Sequence, residues 1–378
     1  MQAVLFEDKN WKHFLPLVYT RPVGALRIGI YTIAEKWQRA LNISVAHRSR
    51  QEMRNLFDFP SDIEQIQINA RVLPTPDLVV AIEQLKSGQA LVNEDLLIAS
   101  KVEGENEDEF NESIAFTGDL LVLENIPDLF LHNGRAMLLD LPYWKQETSR
   151  SQCSESNRVI GDNSHLMLAA GAKAEGCIFN TTAGPIIIDE EAEVMEGSII
   201  RGPFYLGKHA TVKMGAKIYG ATTVGPHCKV AGEISNSVIF GYSNKAHDGF
   251  LGNSVLGEWC NLGADTNNSN LKNNYSSIKI WNYARMDYVD TGLTFCGLIM
   301  GDHAKSAIGT RFNTGTVVGP FANIIQGDFP PKYIPAFSWG EENYDFEKAM
   351  QTAQKVFARR NMSLTKEYQD LYANILKE

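Results

Sequence analysis

The sequence predicts an α/β domain with a largely parallel sheet, then a parallel β-helix of hexapeptide repeats, then a short helical tail. Three observations carry this. Apolar runs alternate with helical patterns over residues 1–150. From about residue 159 an aliphatic residue returns at every sixth position. Beyond the Pro-rich stretch FPPKYIPAFSWG, helical spacing takes over in residues 331–378. A length of 378 residues against a domain norm of about 150 agrees with two domains and a remainder.

In the first domain, Val4-Leu5-Phe6 and the segment from Ile43 to Val45 read as strands, and Ile33, Trp37 and Leu41 share one helix face. Residues 75–88 carry a fuller helix signature. Thr75 suits the cap, Pro76 the first helical position and Asp77 the dipole. Leu78, Ile82 and Leu85 form a stripe that Gly88 can end. Strands alternating with helices imply parallel pairing. The acidic run EGENEDEFNE (103–112) reads as an exposed loop.

In the second domain, 151–330, Ile188, Val194, Ile200, Leu206, Val212, Ile218, Val224 and Val230 follow at six-residue steps. After a two-residue slip Val238, Phe250, Leu256 and Leu262 resume the phase, and after a second break Met300, Phe312, Val318 and Ile324 do so again. Six suits neither a 3.6-residue helix nor a two-residue alternation. It suits a three-faced prism in which each hexapeptide turns a corner and points one aliphatic residue inward. In the tail, Phe346, Met350, Ala353 and Phe357 mark one amphipathic helix and Tyr368, Leu371, Tyr372 and Ile375 another. They are expected to cover the open end of the prism or a neighbouring subunit.

Composition excludes several classes. Charged residues make up 21% of the chain and the net charge is −10, which argues against a nucleic-acid or anionic-membrane partner. No run approaches the ~20 apolar residues of a membrane span and the N-terminus lacks a signal-peptide pattern, so a soluble, cytoplasmic protein is expected. The cysteines at 153, 177, 228, 260 and 296 show no CxxC spacing, so neither a zinc ribbon nor a disulfide framework is implied. His209 and His227 lie one coil apart, each three places after an inward aliphatic residue, and His247 follows one coil plus the slip later. The three imidazoles are expected to stack at about 4.8 Å on one corner. A proton- or anion-handling ladder, a three-His zinc site and unrelated turn residues all fit that spacing.

The passage NKAHDGFLGNSVLGEWCNLGADT (244–266) resembles the acetyltransferase half of the bifunctional enzyme family that joins glucosamine-1-phosphate N-acetyltransferase to N-acetylglucosamine-1-phosphate uridyltransferase. The family's His, aromatic-Leu-Gly and Asn fall on His247, Phe250-Leu251-Gly252 and Asn261. The segment MGDHAKSAIGTRFNTGTVVGPFANI (300–324) is similar to its terminal coils, and the domain order agrees. The resemblance implies a left-handed β-helix, a homotrimer, acetyl-CoA as cosubstrate and an amino-sugar 1-phosphate as acceptor. An insertion around 275–298 is similar to that of archaeal relatives. Asp265 stands in place of a family Gly, and Asn270-Leu271 in place of Asn-Tyr. The first domain departs further. FEDKNWKHFLPL lacks the Gly-rich triphosphate loop, Val23 takes the phosphate-binding Lys position, and Asn69-Ala70 stands where an Asp would hold Mg²⁺. Arg21 and Arg27 are the candidates for holding nucleotide by a different loop.

N-acetylation requires a base that frees an amine from its ammonium form, and imidazole suits neutral pH. By the resemblance, His247 is that base, with a polar turn residue as the alternative. Lys217, Lys229 and Lys272 are candidates for the acceptor's phosphate and Glu233 for the amine. Phe250 is drawn from the motif, and Asn261 and Asn270 from bonds to sugar hydroxyls or the acetyl donor. A solvated surface role is the alternative for each. By the same resemblance Ser306, Thr310 and Gly327 would line the pantetheine. The expected function is acetyl-CoA-dependent N-acetylation of glucosamine-1-phosphate, coupled to UTP-dependent formation of UDP-N-acetylglucosamine where the first domain is active with Mg²⁺. The competing expectations are a uridylyl or thymidylyl transferase with a structural β-helix, and a scaffold or metal hydratase.

Overall fold

The computed structural model describes residues 2–57, 64–103 and 110–377. The first domain is built on a six-stranded sheet whose spatial order is Val45–Arg48, Gln2–Phe6, Glu64–Asn69, Leu96–Glu103, Gln89–Asn93, Glu112–Ala115. Only its first three strands form a continuous parallel set. Leu96–Glu103 runs antiparallel to both of its neighbours, while Gln89–Asn93 and Glu112–Ala115 pair in parallel, so the sheet is mixed, with five of its six strands pointing one way as expected. The turn between Gln89–Asn93 and Leu96–Glu103 is too short for a crossover helix, which forces a hairpin. Residues 104–109 of the acidic run lie outside the described residues, while Glu112 begins a strand instead of extending a loop.

The helix Ile33–Leu41 has a reciprocal cap: the Thr32 hydroxyl accepts from the Glu35 N–H and the Glu35 carboxylate from the Thr32 N–H. It buries Ile33, Trp37 and Leu41. The helix Pro76–Glu83 also forms, but the Thr75 hydroxyl donates to the Asp119 carbonyl at 2.5 Å and does not cap it. Gly88, at φ +82°, lies in the turn before the next strand and does not close the helix.

The second domain is a parallel β-helix of three faces. Ile186–Ile188, Phe204–Leu206 and Thr222–Val224 begin the repeated pattern of one face, Glu193–Val194, Thr211–Val212 and Lys229–Val230 that of the second, and Ile199–Arg201, Lys217–Tyr219 and Glu233–Ser235 that of the third. All eight residues of the uninterrupted six-residue series are buried, at most 1% exposed. Past Val230 the phase differs from the expectation. Val224 pairs with Ile239 and Ile234 with Leu251, so Ile239 and Leu251 point inward, while Val238 and Phe250 do not. The corner after Val230 is two residues short and the next corner one short, and this three-residue slip moves the column by one place.

The first face is covered by the first domain. Val238, Val255, Ile299 and Val317 join that domain's apolar core, and Met167, Ile187 and Tyr205 pack on Met137 and Trp144 of the helix Asn133–Glu147. Within this seam Arg21 forms a buried ion pair with Asp302 and a second with Glu258 at 3.2 Å. Thr20 donates to Asp302 at 2.7 Å. The hairpin of the insertion, Lys279–Asn282 with Asp287–Asp290, adds to the seam by stacking Trp281 on Tyr333 and setting Tyr283 against Tyr19.

The corner between the first and second faces carries a continuous ladder of rings: His209, His227, Tyr242, Trp259, His303, Phe321 and Phe337. All seven are left-handed, with φ between 54° and 63°. Bulky side chains seldom adopt that conformation, at about 1–2 kcal/mol each, and stacking worth about 0.5–1.5 kcal/mol per pair beyond burial offsets it. His209 and His227 stack at 4.9 Å, as their spacing predicts. The third place belongs to Tyr242 and not to His247, because the short coil brings residue 242 to this corner. A three-imidazole set is therefore not assembled there. The tail helices Phe346–Ala358 and Lys366–Ile375 pack along this ladder, with Phe357 stacked on Trp259, and so cover a corner and not the open end.

His303 is buried within the ladder, and burial first, then Lys305 and Arg21, hold its pKa well below the usual imidazole range. Below about pH 6.5 the unfolded chain binds a proton that the folded chain refuses, so stability falls as pH falls through that value. His303→Phe extends the Phe321–Phe337 stack and removes this group. Between pH 7.5 and 5.5 the urea midpoint of the wild type should decline further than that of the variant, by the equivalent of about 1 kcal/mol. Parallel declines would show that His303 is not the acid-sensitive group.

Candidate functional site

The second face of the prism forms the floor of a cleft of about 540 Å³. Strand register sets Lys229, Asn244, Asn261 and Lys305 side by side and outward, one per coil. The ladder residues Tyr242 and Trp259 edge one side, and His247 lies on the corner opposite. The wall is the end of the helix Phe346–Ala358, with Val356 and the following Arg359 and Arg360. That helix begins at Asp345, whose carboxylate accepts from the Lys348 N–H, and it is pinned where Phe357 meets Trp259 at 4.5 Å.

The cleft thus gathers four permanent or potential cations and one imidazole in a chain whose net charge is −10. Arg360 also donates to the His227 carbonyl at 3.0 Å, which fixes it against the ladder. Burial, then His209 and Arg360, lower the pKa of His227. Lys305 donates to the His303 carbonyl at 2.8 Å, and burial lowers its pKa as well. His247 is exposed at the rim. Such an arrangement has the charge to attract an anion beside an imidazole.

Of the residues singled out in the sequence, His247, Lys229 and Asn261 meet in this cleft. Lys217, Glu233 and Phe250 form one row on the third face, around the corner, where Tyr219 donates to Glu233 at 2.6 Å. Asn270 and Lys272 stand at the root of the insertion. Asn270 donates to Asn253 at 2.7 Å, and the Lys272 ammonium is held by Ser276 at 3.3 Å and by the Ser277 carbonyl. Ser306 and Thr310 are buried. Ser306 pairs with Thr266 at 2.9 Å and Thr310 donates to the Ala307 carbonyl, so neither is open to a cofactor in this chain. Gly327 lies in an exposed turn beside Arg311. Sequence reasoning missed Tyr242, Asn244, Trp259, Lys305, Arg359 and Arg360. The offset of three from an inward aliphatic residue identifies Tyr242 and Trp259 once Ile239 and Leu256 are placed inward. Nothing in the sequence says which face the tail helix docks on.

In the first domain, Arg21 and Arg27 are both engaged: Arg21 with Asp302 and Glu258, and Arg27 with the Ile30 carbonyl and with Glu35 at 3.7 Å. At the strand end where the resemblance would put a phosphate loop, the chain's own carboxylates sit. Glu7 accepts from the Val23 N–H at 2.8 Å and pairs with Arg50 at 3.4 Å. Asp8 accepts from Arg71, Asn69 and the Asn10 N–H at 2.7–3.1 Å. These donors hold the Asp8 carboxyl below its ordinary pKa against the opposing effect of burial. Asn69 donates to Asp8 and to the Leu97 carbonyl and accepts from the Arg71 N–H, so Asn69 and Asp8 do not fit as Mg²⁺ ligands.

Residues 3–149 match the family model of sugar nucleotidyl transferases. The first domain is similar to that family. A bifunctional sugar-1-phosphate nucleotidylyltransferase/acetyltransferase from Sulfurisphaera tokodaii is 32% identical over 146 residues, which are 38% of this chain and 36% of that protein. The match thus spans about a third of the curated relative's length. Among solved structures, a UDP-N-acetylglucosamine acyltransferase from Arabidopsis is aligned over 56% of this chain and 80% of that one, at 11% identity and a TM-score of 0.21, too slight a likeness to carry an argument. A region similar to sugar nucleotidyl transferases and a β-helix thus stand in one chain. No helix among the described residues is long and apolar enough to cross a membrane.

Inorganic pyrophosphate tests the cleft's charge without any assumption about turnover. It should raise the melting temperature of the wild type, with about 2.7 kcal/mol of stabilisation at one hundred times its Kd. Arg359→Ala combined with Lys229→Ala should melt near the wild-type temperature without ligand and lose most of that rise. An undiminished rise would place the anion elsewhere.

Proposed function

We propose that the chain is an acetyl-CoA-dependent N-acetyltransferase acting on an amino-sugar 1-phosphate such as glucosamine-1-phosphate. The observation that carries this reading is the meeting of His247 and Asn261 with Lys229, Lys305, Arg359 and Arg360 in one cleft. The cations hold the phosphate, and Asn261 bonds a sugar hydroxyl or the acetyl group. The 2-amino group, as its free base, attacks the thioester carbonyl through its nitrogen while the imidazole takes a proton from that nitrogen. The tetrahedral intermediate then expels the CoA thiolate, which takes that proton from the imidazolium, leaving the amide. Ser306 and Thr310 are turned inward, so the pantetheine is assigned to a groove between neighbouring copies in a homotrimer. The third face supports this arrangement, because it carries exposed Ile160, Ile199 and Tyr219 and borders the His247 corner.

A second reading, UTP-dependent uridylyl transfer by the first domain, is favoured by the family match over residues 3–149. Against it stand the engaged Arg21, Arg27, Arg50 and Arg71 and the saturated Asp8. Together the two activities would yield UDP-N-acetylglucosamine, and pyrophosphate release from UTP and N-acetylglucosamine-1-phosphate tests the second alone.

Thiol release from acetyl-CoA in the presence of glucosamine-1-phosphate tests the first. His247→Ala should reduce kcat by roughly 10²–10⁴-fold while leaving pyrophosphate binding intact. Equal turnover by the variant would remove His247 from the mechanism. Absence of thiol release by the wild type with amino-sugar phosphates would overturn acetyl transfer itself.

A further inference from the structure

The inward column of the cleft face runs Val194, Val212, Val230 and then, in the next coil, Lys245, with Leu262 following. Lys245 is 1% exposed. A buried ammonium among aliphatic side chains carries a desolvation penalty of several kcal/mol that a valine or leucine there would not. Its nitrogen reaches past the strand end and donates to the carbonyl oxygen of His247 at 2.6 Å.

The winding explains why that carbonyl needs a side-chain donor. Two places after an inward residue, the corner carbonyl normally accepts a backbone N–H from the coil beyond. Glu196 accepts from Gly215 at 3.0 Å, and Ala264 from Gly309 at 2.8 Å. His247 holds the same place relative to Lys245, but the N–H that should serve it, from Asp265, goes to the Asp248 carbonyl at 3.1 Å. On the other side the preceding corner is two residues short, and Glu233 reaches Gly249 at 3.2 Å. Among the described residues the His247 carbonyl has no backbone donor, at the corner that presents the imidazole.

We infer that Lys245 is a positioning residue: its ammonium replaces the missing backbone donor and fixes the corner from which His247 enters the cleft. Its consequence for catalysis rests on the acetyl-transfer reading; its consequence for the corner does not. The charged groups facing Lys245 are Asp248 and Asp265, which partly offset the burial that lowers its pKa to about 8.

Lys245→Met keeps a long apolar side chain in the column and removes the donor. In the resting full-length protein, amide exchange at Glu233 and Asp265, whose acceptors lie on the corner, should quicken by about tenfold or more. In acetyl transfer kcat should fall with KM nearly unchanged, and the same substitution in a His247→Ala background should have no further effect. Unchanged exchange in Lys245→Met overturns the clamp whatever the activity. Quickened exchange with undiminished kcat overturns the positioning role. Quickened exchange in a protein that transfers no acetyl group overturns the functional reading and leaves the clamp standing. Should the variant fail to fold, ¹³Cε-lysine NMR of the wild type decides: the lysine in contact with the Val230 and Leu262 methyls titrating near 8 supports the buried donor, and the same lysine titrating near 10.4 overturns it.

Discussion

The stack of seven rings on one corner is the constraint from which the cleft follows. Each ring sits on a left-handed residue that would be strained alone, and each is held there by the ring of the next coil. The widest step, 6.1 Å between Trp259 and His303, falls where the insertion separates two coils, and Phe357 stacks against both rings. That contact pins the tail helix at its last turn. Arg359 and Arg360 follow within three residues and therefore overhang the floor of Lys229, Asn244, Asn261 and Lys305. A side-chain ladder, a docked helix and a charged wall form one causal chain.

The repeat was legible because its signal is redundant. An inward aliphatic residue every sixth position, seen eight times, leaves one winding to choose from, and the buried column from Ile188 to Val230 follows it. What failed was local. A slip read as two residues is three, and that single step moved the expected column from Ile239 to Val238 and from Leu251 to Phe250. It also hid Tyr242, which follows Ile239 by the offset that relates His209 to Leu206. Trp259 and His303 follow Leu256 and Met300 by the same offset, and both of those residues were already in the expected column. Deletions at corners leave no compositional mark, so phase beyond a break depends on pairing that only the fold decides. The cleft was legible as far as one strand face and one motif reach, in Lys229, His247 and Asn261. Ser306 and Thr310 were drawn from the resemblance, and the column turned them inward. The arginines of the wall depend on a tertiary contact 100 residues from the motif, and no local pattern encodes it.

The two domains treat charge in opposite ways. In the first, Arg21, Arg50 and Arg71 are matched to Asp302, Glu7 and Asp8, so its positive charge is used to tie elements together, most firmly across the seam to the β-helix. Breaking one partner of such a buried pair leaves an uncompensated charge and costs about 3–5 kcal/mol. In the second, Lys229, Arg359 and Arg360 face one another across a cleft without a carboxylate partner among the described residues. Like charges held together in this way raise the energy of the empty site and lower that of an anion's complex.

The same logic distinguishes His247 from the chain's other candidate imidazoles. His303 is enclosed, denied a proton by burial and the neighbouring cations, and acts as one more ring in a stack. His227 is half-buried beside Arg360 and shares part of that fate. His247 alone of the three stands at the rim of the cationic cleft, on a corner whose backbone pairing is broken by a short coil and completed by Lys245. A general base needs both access to a proton sink and a fixed direction of approach. Exposure supplies the first, and a buried ammonium on its own carbonyl supplies the second without crowding the ring.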